Sequence, residues 1–365
     1  MLGVGLITAI GAWLVVRDGS GDARQPPLPK LTVAQLAGLR VVASFRDSGQ
    51  GRIPASLARR IRHGTIGAVC LFAENGTRVS TIRRLTRKLQ AIPRPPGLRE
   101  PLLVMIDQEG GRVRRITDSP PAESALAMAR TGSVAHIRAR GLATARGLRR
   151  AGVNVDLAPV SDIPRSGSTL LQFARTFGTD PATVGKFAAA FASGLVAGGV
   201  QATTKHFPGF GAARVNSDDQ RVSIALSANE LRTVDEASFK QVIAAKARLV
   251  MLANAIYPAL DPSAPATLSR KIATTEVRDR LGFDGVTITD DLEAGALKPF
   301  GRAGQLAVKA AGAGDDLVLF ARSYASSVAA IRSLTAAIRS GRISMAEARA
   351  AAARILALRR AVAAG

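Results

Sequence analysis

Several residues of this chain have the types and placement to do chemistry. Lys205 and His206 close an apolar run, "GGVQATTKHF", and set a cation and an imidazole just before the turn Pro208-Gly209-Phe210-Gly211. A polar loop follows and carries Asn216-Ser217-Asp218-Asp219. A cation and an imidazole at the end of a strand, ahead of a loop rich in small residues, are placed to touch a ligand. Gly209, Gly211 and the pair Ala212-Ala213 predict a loop that bends at low cost. Other apolar runs end in the same manner: at Glu74-Asn75, at Asp107-Gln108-Glu109, near Asp156 and Asp162, at Asn254 and at Asp290-Asp291. Any one of these could be a cap. Six together are best explained by one polar pocket.

The elements that would position such a pocket are eight apolar, β-rich runs, at 39–45, 66–73, 101–107, 153–159, 200–207, 249–255, 285–291 and 316–320. Amphipathic segments such as "VSTIRRLTRKLQAI" separate them. Continuous apolar strands divided by helices imply parallel pairing covered from outside. Eight such units predict a single α/β domain over 31–365, a (β/α)8 barrel. An open doubly wound sheet is the alternative, but no G-x-G-x-x-G follows the first run. Barrel active sites are built at the C-terminal ends of the strands, where the polar residues collect.

Composition narrows the class. The formal charge is +23, most of it arginine spread along helical segments such as "ARGLRRAG" and without interleaved aromatics. That pattern predicts solvated basic helix faces, attracted to an anionic envelope, rather than a nucleic-acid binder. One cysteine, Cys70, excludes a disulfide framework and reads as a buried, inert thiol. With three histidines and no CxxC, HExxH or Ca²⁺-loop spacing, neither a metal nor an organic cofactor is predicted. The first sixteen residues form one apolar run, which predicts a signal peptide or membrane anchor over 1–17 and a linker over 18–30. The remainder would then work outside the cytoplasmic membrane, in contact with it only through the N-terminal segment. A buried N-terminal helix is the alternative.

Five collinear motifs, "IDQEGGRVRR", "LAPVSDI", "ARTFG", "KHFPGFG" and "LGFDGVTITDDLEAGAL", make residues 35–325 resemble the barrel of family 3 glycoside hydrolases. The resemblance is greatest to single-domain bacterial β-N-acetylglucosaminidases that act on cell-wall sugars. It implies a carbohydrate substrate, a β-linked amino sugar or glucoside such as a peptidoglycan fragment, and a retaining mechanism with Asp290 as nucleophile. It also implies that Asp107 accepts from sugar hydroxyls, and that Arg115, Arg175, Lys205 and His206 donate to the sugar. Arg112 and Arg114 stand close enough to compete with Arg115 for that place, and Gly110-Gly111 would let the backbone approach the ligand. Asp291 reads as a cap.

The chain departs from the family in the loop after the fifth run. An Asp-Ser-His triplet supplies the acid/base there, and the aligned residues here are Asn216-Ser217-Asp218. His63 and His136 lie in helical stretches and cannot substitute. Three readings follow. Either Asp218 serves as the acid, its pKa raised by Asp219; or the protein hydrolyses only activated substrates; or it binds sugar without cleaving it.

Overall fold

Runs apolar on both faces can be buried only where helices cover one face and other strands the other. The computed structural model describes residues 27–364. Among them, eight parallel strands form the central sheet. These are β1 (Val41–Ala43), β2 (Ala68–Cys70), β3 (Leu103–Ile106), β4 (Val155–Asp156), β5 (Gln201–Phe207), β6 (Leu249–Leu252), β7 (Val286–Thr289) and β8 (Val318–Phe320). Their spatial order is 7-6-5-4-3-2-1-8. A parallel bridge between Ile288 and Leu317 joins the two edges, with the Leu317 N–H donating to the Thr287 carbonyl at 2.9 Å. The sheet is thus closed into the (β/α)8 barrel that the pattern of runs predicts.

Side-chain parity sorts each strand. Val42, Cys70, Met105, Val155, Met251, Ile288 and Leu319 fill the barrel interior. Val41, Val69, Val104 and Ile106 face the helical layer. The same period of two carries past the strand ends: after Leu103 and Met105 the next inward position is Asp107, and after Val286 and Ile288 it is Asp290. Cys70 is fully buried, and burial pushes its thiol well above the ordinary value, so it is inert as expected.

The helices of the outer layer are α1 (Val33–Leu39), α2 (Ala55–Arg62), α3 (Val79–Ala91), α4 (Val134–Ala151), α5 (Pro181–Ala197), α6 (Glu236–Ala244), α7 (Ala303–Ala313), α8 (Tyr324–Arg339) and α9 (Met345–Ala364), with a wider π-helical segment at Lys271–Arg280. Their ends are written in the sequence. Asp180 caps α5 by accepting from the Thr183 N–H at 2.8 Å, with Pro181 in the first turn. Gly152 ends α4 in the left-handed region. Helix α3 buries Ile82, Leu85 and Leu89, spaced three and four apart, and leaves its arginines outside. Helix α9 closes the bottom of the barrel: Ile355, Leu358 and Val362 join the interior cluster, and the buried Arg359 donates to the carbonyls of Leu98, Glu100 and Pro101.

The N-terminal segment predicted over 1–17, and most of the predicted linker, lie outside the described residues. No helix of the described residues is long and apolar enough to cross a membrane.

Candidate active site

The C-terminal mouth of the barrel holds a cavity of about 340 Å³. Asp107, Arg115, Arg175, Lys205, His206, Asp218 and Asp290, which the sequence singles out, all line it. Arg115 takes the place for which Arg112 and Arg114 compete. Arg114 turns away to donate to the Ser119 carbonyl at 3.0 Å, and Arg112 stacks on Phe173.

A charged lattice forms one wall. Lys205 Nζ lies 2.8 Å from Asp107 Oδ1 and 2.7 Å from Glu109 Oε1. Arg175 grips Glu109 with two bonds, Nε to Oε2 at 2.9 Å and Nη2 to Oε1 at 2.8 Å. Arg115 Nη2 is 3.6 Å from Asp107 Oδ2. Burial opposes ionisation of Glu109, but Arg175 and Lys205 outweigh it and hold the carboxyl well below the usual carboxylate range. Burial likewise opposes the charge on Lys205, and Asp107 and Glu109 outweigh it.

His206 is fixed from behind. Its Nδ1 is 2.8 Å from Asp162 Oδ2, which makes Nδ1 the donor and leaves Nε2 for the cavity side. Asp162 also accepts the backbone N–H of His206 at 3.1 Å and that of Phe210 at 2.6 Å.

Asp290 follows β7 and receives the Asp291 N–H at 2.8 Å. Burial raises its pKa; His206 opposes the rise and Asp218 adds to it. The cations of the pocket are thus outweighed by burial. Asp291 plays the capping part expected of it. It accepts from the N–H groups of Glu293 and Ala321, each at 3.0 Å, and from Arg322 Nε at 3.1 Å.

Asp218 is half-exposed at the rim. Its loop docks on the segment after Asp290: the Gly295 N–H donates to the Asp218 carbonyl at 2.8 Å, and the Ala296 N–H to the Ser217 carbonyl at 3.0 Å. The Asp218 carboxylate accepts from Asn216 Nδ2 at 3.4 Å and faces Arg322 Nη2 at 3.5 Å.

Three sequence readings need correction. The six polar strand ends do not share one pocket. Asn75 donates to the Phe45 carbonyl, Gln108 to the Ile116 and Ser119 carbonyls just past its hairpin (Gln108–Arg114), and Asn254 to the Asp291 carbonyl; Asp156 accepts the backbone N–H of Gln108. These form a supporting layer in which each side chain satisfies backbone groups that the loops leave open. Second, the glycines after His206 are there for close packing rather than bending. A Cβ on Gly209 (φ 139°) would meet Asp235, and one on Gly211 would meet the Ile163 carbonyl. Third, Gly110 and Gly111, in the hairpin Gln108–Arg114, pack against Glu123 and Ser124, and neither lines the cavity.

Arg46, Phe72 and Arg322 also line the cavity and were not predicted. Arg46 and Arg115 both stack on the Phe72 ring, at 5.1 and 5.8 Å from its centroid. Arg46 directly follows the first run and Arg322 lies two residues past the last. The strand-end test would have found both had it been applied to those runs.

A barrel that gathers two carboxyl groups and a set of hydroxyl-binding charges at its C-terminal mouth has the equipment of an enzyme acting on glycosidic bonds. Comparison with known proteins agrees. The family described as "Glycosyl hydrolase family 3 N terminal domain" matches residues 30–358, and the chain belongs to it. An "Uncharacterized secreted glycosyl hydrolase" of Arthroderma benhamiae is 38% identical over 339 residues, covering 91% of this chain and 94% of that protein. The family 3 β-N-acetylglucosaminidase structure from Paenibacillus sp. str. FPU-7 superposes with a TM-score of 0.86 at 32% identity. That match covers 92% of this chain and 64% of the other. The β-N-acetylhexosaminidase of Beutenbergia cavernae gives a TM-score of 0.83 at 28% identity, covering 91% and 99%. The chain is a glycoside hydrolase of the β-N-acetylhexosaminidase-like type.

Proposed function

We propose that the chain releases β-linked N-acetylhexosamine by double displacement, with peptidoglycan fragments as a substrate class. Asp107, Arg115, Arg175, Lys205 and His206 hold the sugar's hydroxyls. Asp290 attacks the anomeric carbon, and the bond to the leaving oxygen breaks as Asp218 gives that oxygen its proton. A glycosyl ester on Asp290 results. Asp218, now ionised, takes a proton from water, which attacks the same carbon and frees Asp290. The observation that carries this reading is the convergence of all seven side chains, drawn from β3, β4, β5 and β7 and the loops that follow them, on one cavity. The work is placed outside the cytoplasmic membrane, in keeping with the apolar run over 1–16.

Asp219, next to Asp218, does not line the cavity, and Arg322 is a charged group that faces Asp218 across it. The exposure of Asp218 and its contact with Arg322 favour a second reading, in which only substrates with good leaving groups turn over.

Asp290→Ala should reduce hydrolysis of an aryl N-acetyl-β-glucosaminide to background with an unchanged melting curve, and residual turnover near wild type would overturn the assignment. Asp218→Asn should slow a chitooligosaccharide by about 10²–10⁴ and the aryl substrate much less. Equal losses on both substrates, or none, would remove Asp218 from the role of acid.

A further inference from the structure

The charge of the barrel is not evenly spread. Helices α2, α3 and α4 follow β1, β2 and β3 and lie side by side on one flank. They carry three, four and five cations respectively, and no acid. Of these twelve, only Arg140 enters an ion pair among the described residues, with Glu123. Arg83, Arg84, Arg87 and Lys88 of α3 and Arg146, Arg149 and Arg150 of α4 are all exposed. The opposite flank differs. There Arg280 pairs with Glu236 at 2.8 Å and Arg232 with Glu276 at 2.5 Å, so these arginines are neutralised at home, while Lys240 and Lys271 stand exposed and apart.

The path of the chain bears on what the basic flank meets. The first described residues reach the barrel between the C-terminal ends of α2 and α3. Pro29 lies against Gly97, in the loop that leaves α3, and Gln35 Nε2 donates to the carbonyl of His63, which ends α2. Ten residues, 17–26, separate the apolar run from Pro27, and ten residues span at most about 35 Å. Whatever apolar phase takes up that run therefore lies within reach of this flank.

We propose that the flank formed by α2, α3 and α4 docks on an anionic phospholipid surface, with Arg83, Arg87, Arg146, Arg149 and Arg150 as its main contacts. Unpaired, exposed guanidinium groups on adjacent helices match a negative lipid surface, whose potential acts on each basic residue within a Debye length. The helices offer no Phe, Tyr or Trp for stacking on bases, which sets the flank apart from a single-strand nucleic-acid platform. The catalytic cavity opens at the C-terminal end of the strands, so docking by the flank leaves it clear. The proposal is independent of the catalytic assignments above.

The test uses the full chain and two kinds of vesicle, phosphatidylcholine alone and phosphatidylcholine mixed with phosphatidylglycerol. Wild type should partition more strongly to the anionic vesicles, and added NaCl should erase the difference. Arg83→Glu/Arg87→Glu/Arg149→Glu should lower partitioning to the anionic vesicles by at least about tenfold. It should leave the melting curve and aryl-glycoside turnover unchanged. A control with the same change in net charge, Lys186→Glu/Lys240→Glu/Lys271→Glu, should behave as wild type. Equal partitioning to both vesicles overturns the proposal, as does an equal loss in both triple variants. Salt-sensitive binding to a soluble polyanion such as polyphosphate, without binding to anionic vesicles, also overturns it.

Discussion

Arg322 bridges Asp218 and Asp291: its Nη2 lies 3.5 Å from Asp218 Oδ1 and its Nε 3.1 Å from Asp291 Oδ2. One guanidinium from the β8 loop thereby ties the proposed acid/base, on the loop after β5, to the residue next to the proposed nucleophile, after β7. Backbone bonds from Gly295 and Ala296 to the carbonyls of Asp218 and Ser217 run alongside it. The loop that departs from the family pattern is therefore held in register with Asp290 by contacts that do not depend on the missing triplet.

Arg322→Ala should test that coupling. Loss of the bridge frees the Asp218 side chain while both backbone bonds remain. A displacement of about 1 Å at a catalytic group can cost roughly 10²-fold, so kcat for a chitooligosaccharide should fall by about tenfold or more. Stability should change by about 1 kcal/mol or less, because the guanidinium is half-exposed. Paired kinetics and melting curves check this, and unchanged kcat would show that Arg322 does not position Asp218.

Glu109 does not line the cavity, yet it holds two side chains that do. Glu109→Gln removes a carboxylate that helps to raise the pKa of Lys205. Lys205 should then lose its proton at lower pH, moving the alkaline limb of kcat/KM downward. KM should rise more than kcat falls, since the affected groups bind the sugar. The variant should also lose about 3–5 kcal/mol of stability, because it breaks a buried pair from one side. An alkaline limb that stays in place would assign Glu109 a purely structural part.

How far sequence reading went depends on whether the signal is local. The eight strands and the inward aim of Asp107 and Asp290 follow from a period of two that short segments display by themselves. The ordered strands are nevertheless shorter than the runs. The run over 153–159 gives only Val155–Asp156 as regular strand, although the N–H groups of Asn154 and Leu157 still donate to the Val104 and Ile106 carbonyls of β3. Arg46 and Arg322 meet the site only because the barrel closes between β1 and β8, a relation no window of sequence contains. The sorting of strand-end residues into cavity and supporting layer was equally hidden. Glu109 and Asp107 stand two apart, and only the hairpin geometry turns one behind the other.

Asp290 gives a pH prediction with a definite sign. The nucleophile must be ionised, and burial raises its pKa above the ordinary aspartate value. Protonation therefore sets in at a higher pH, and the acid limb of kcat/KM should lie above about 3.9. Asp218 adds to the rise by like-charge repulsion. In Asp218→Asn that contribution is gone, and the acid limb measured with an aryl substrate should move to lower pH. A limb that stays or moves upward would mean that the two carboxyls do not interact.

Asp156 offers a test of stability away from catalysis. It is fully buried, its Oδ1 accepts the Gln108 N–H at 3.0 Å, and its Oδ2 has no partner among the described residues. Burial pushes its pKa up to about 8. A group whose folded-state pKa is raised above its unfolded value binds its proton more tightly when folded, so its contribution to stability falls as pH rises between the two values. For Asp156 that window runs from about pH 4 to about pH 8, and the total is of the order of a few kcal/mol. Asp156→Asn keeps the acceptor for Gln108 and removes the titration. The two proteins should melt at similar temperatures near the acid end of the window. Toward its alkaline end the asparagine variant should become the more stable, by a margin that stops growing above about pH 8. Melting temperatures of both proteins across that range check it; a difference that does not change with pH would show that Asp156 folds with its charge.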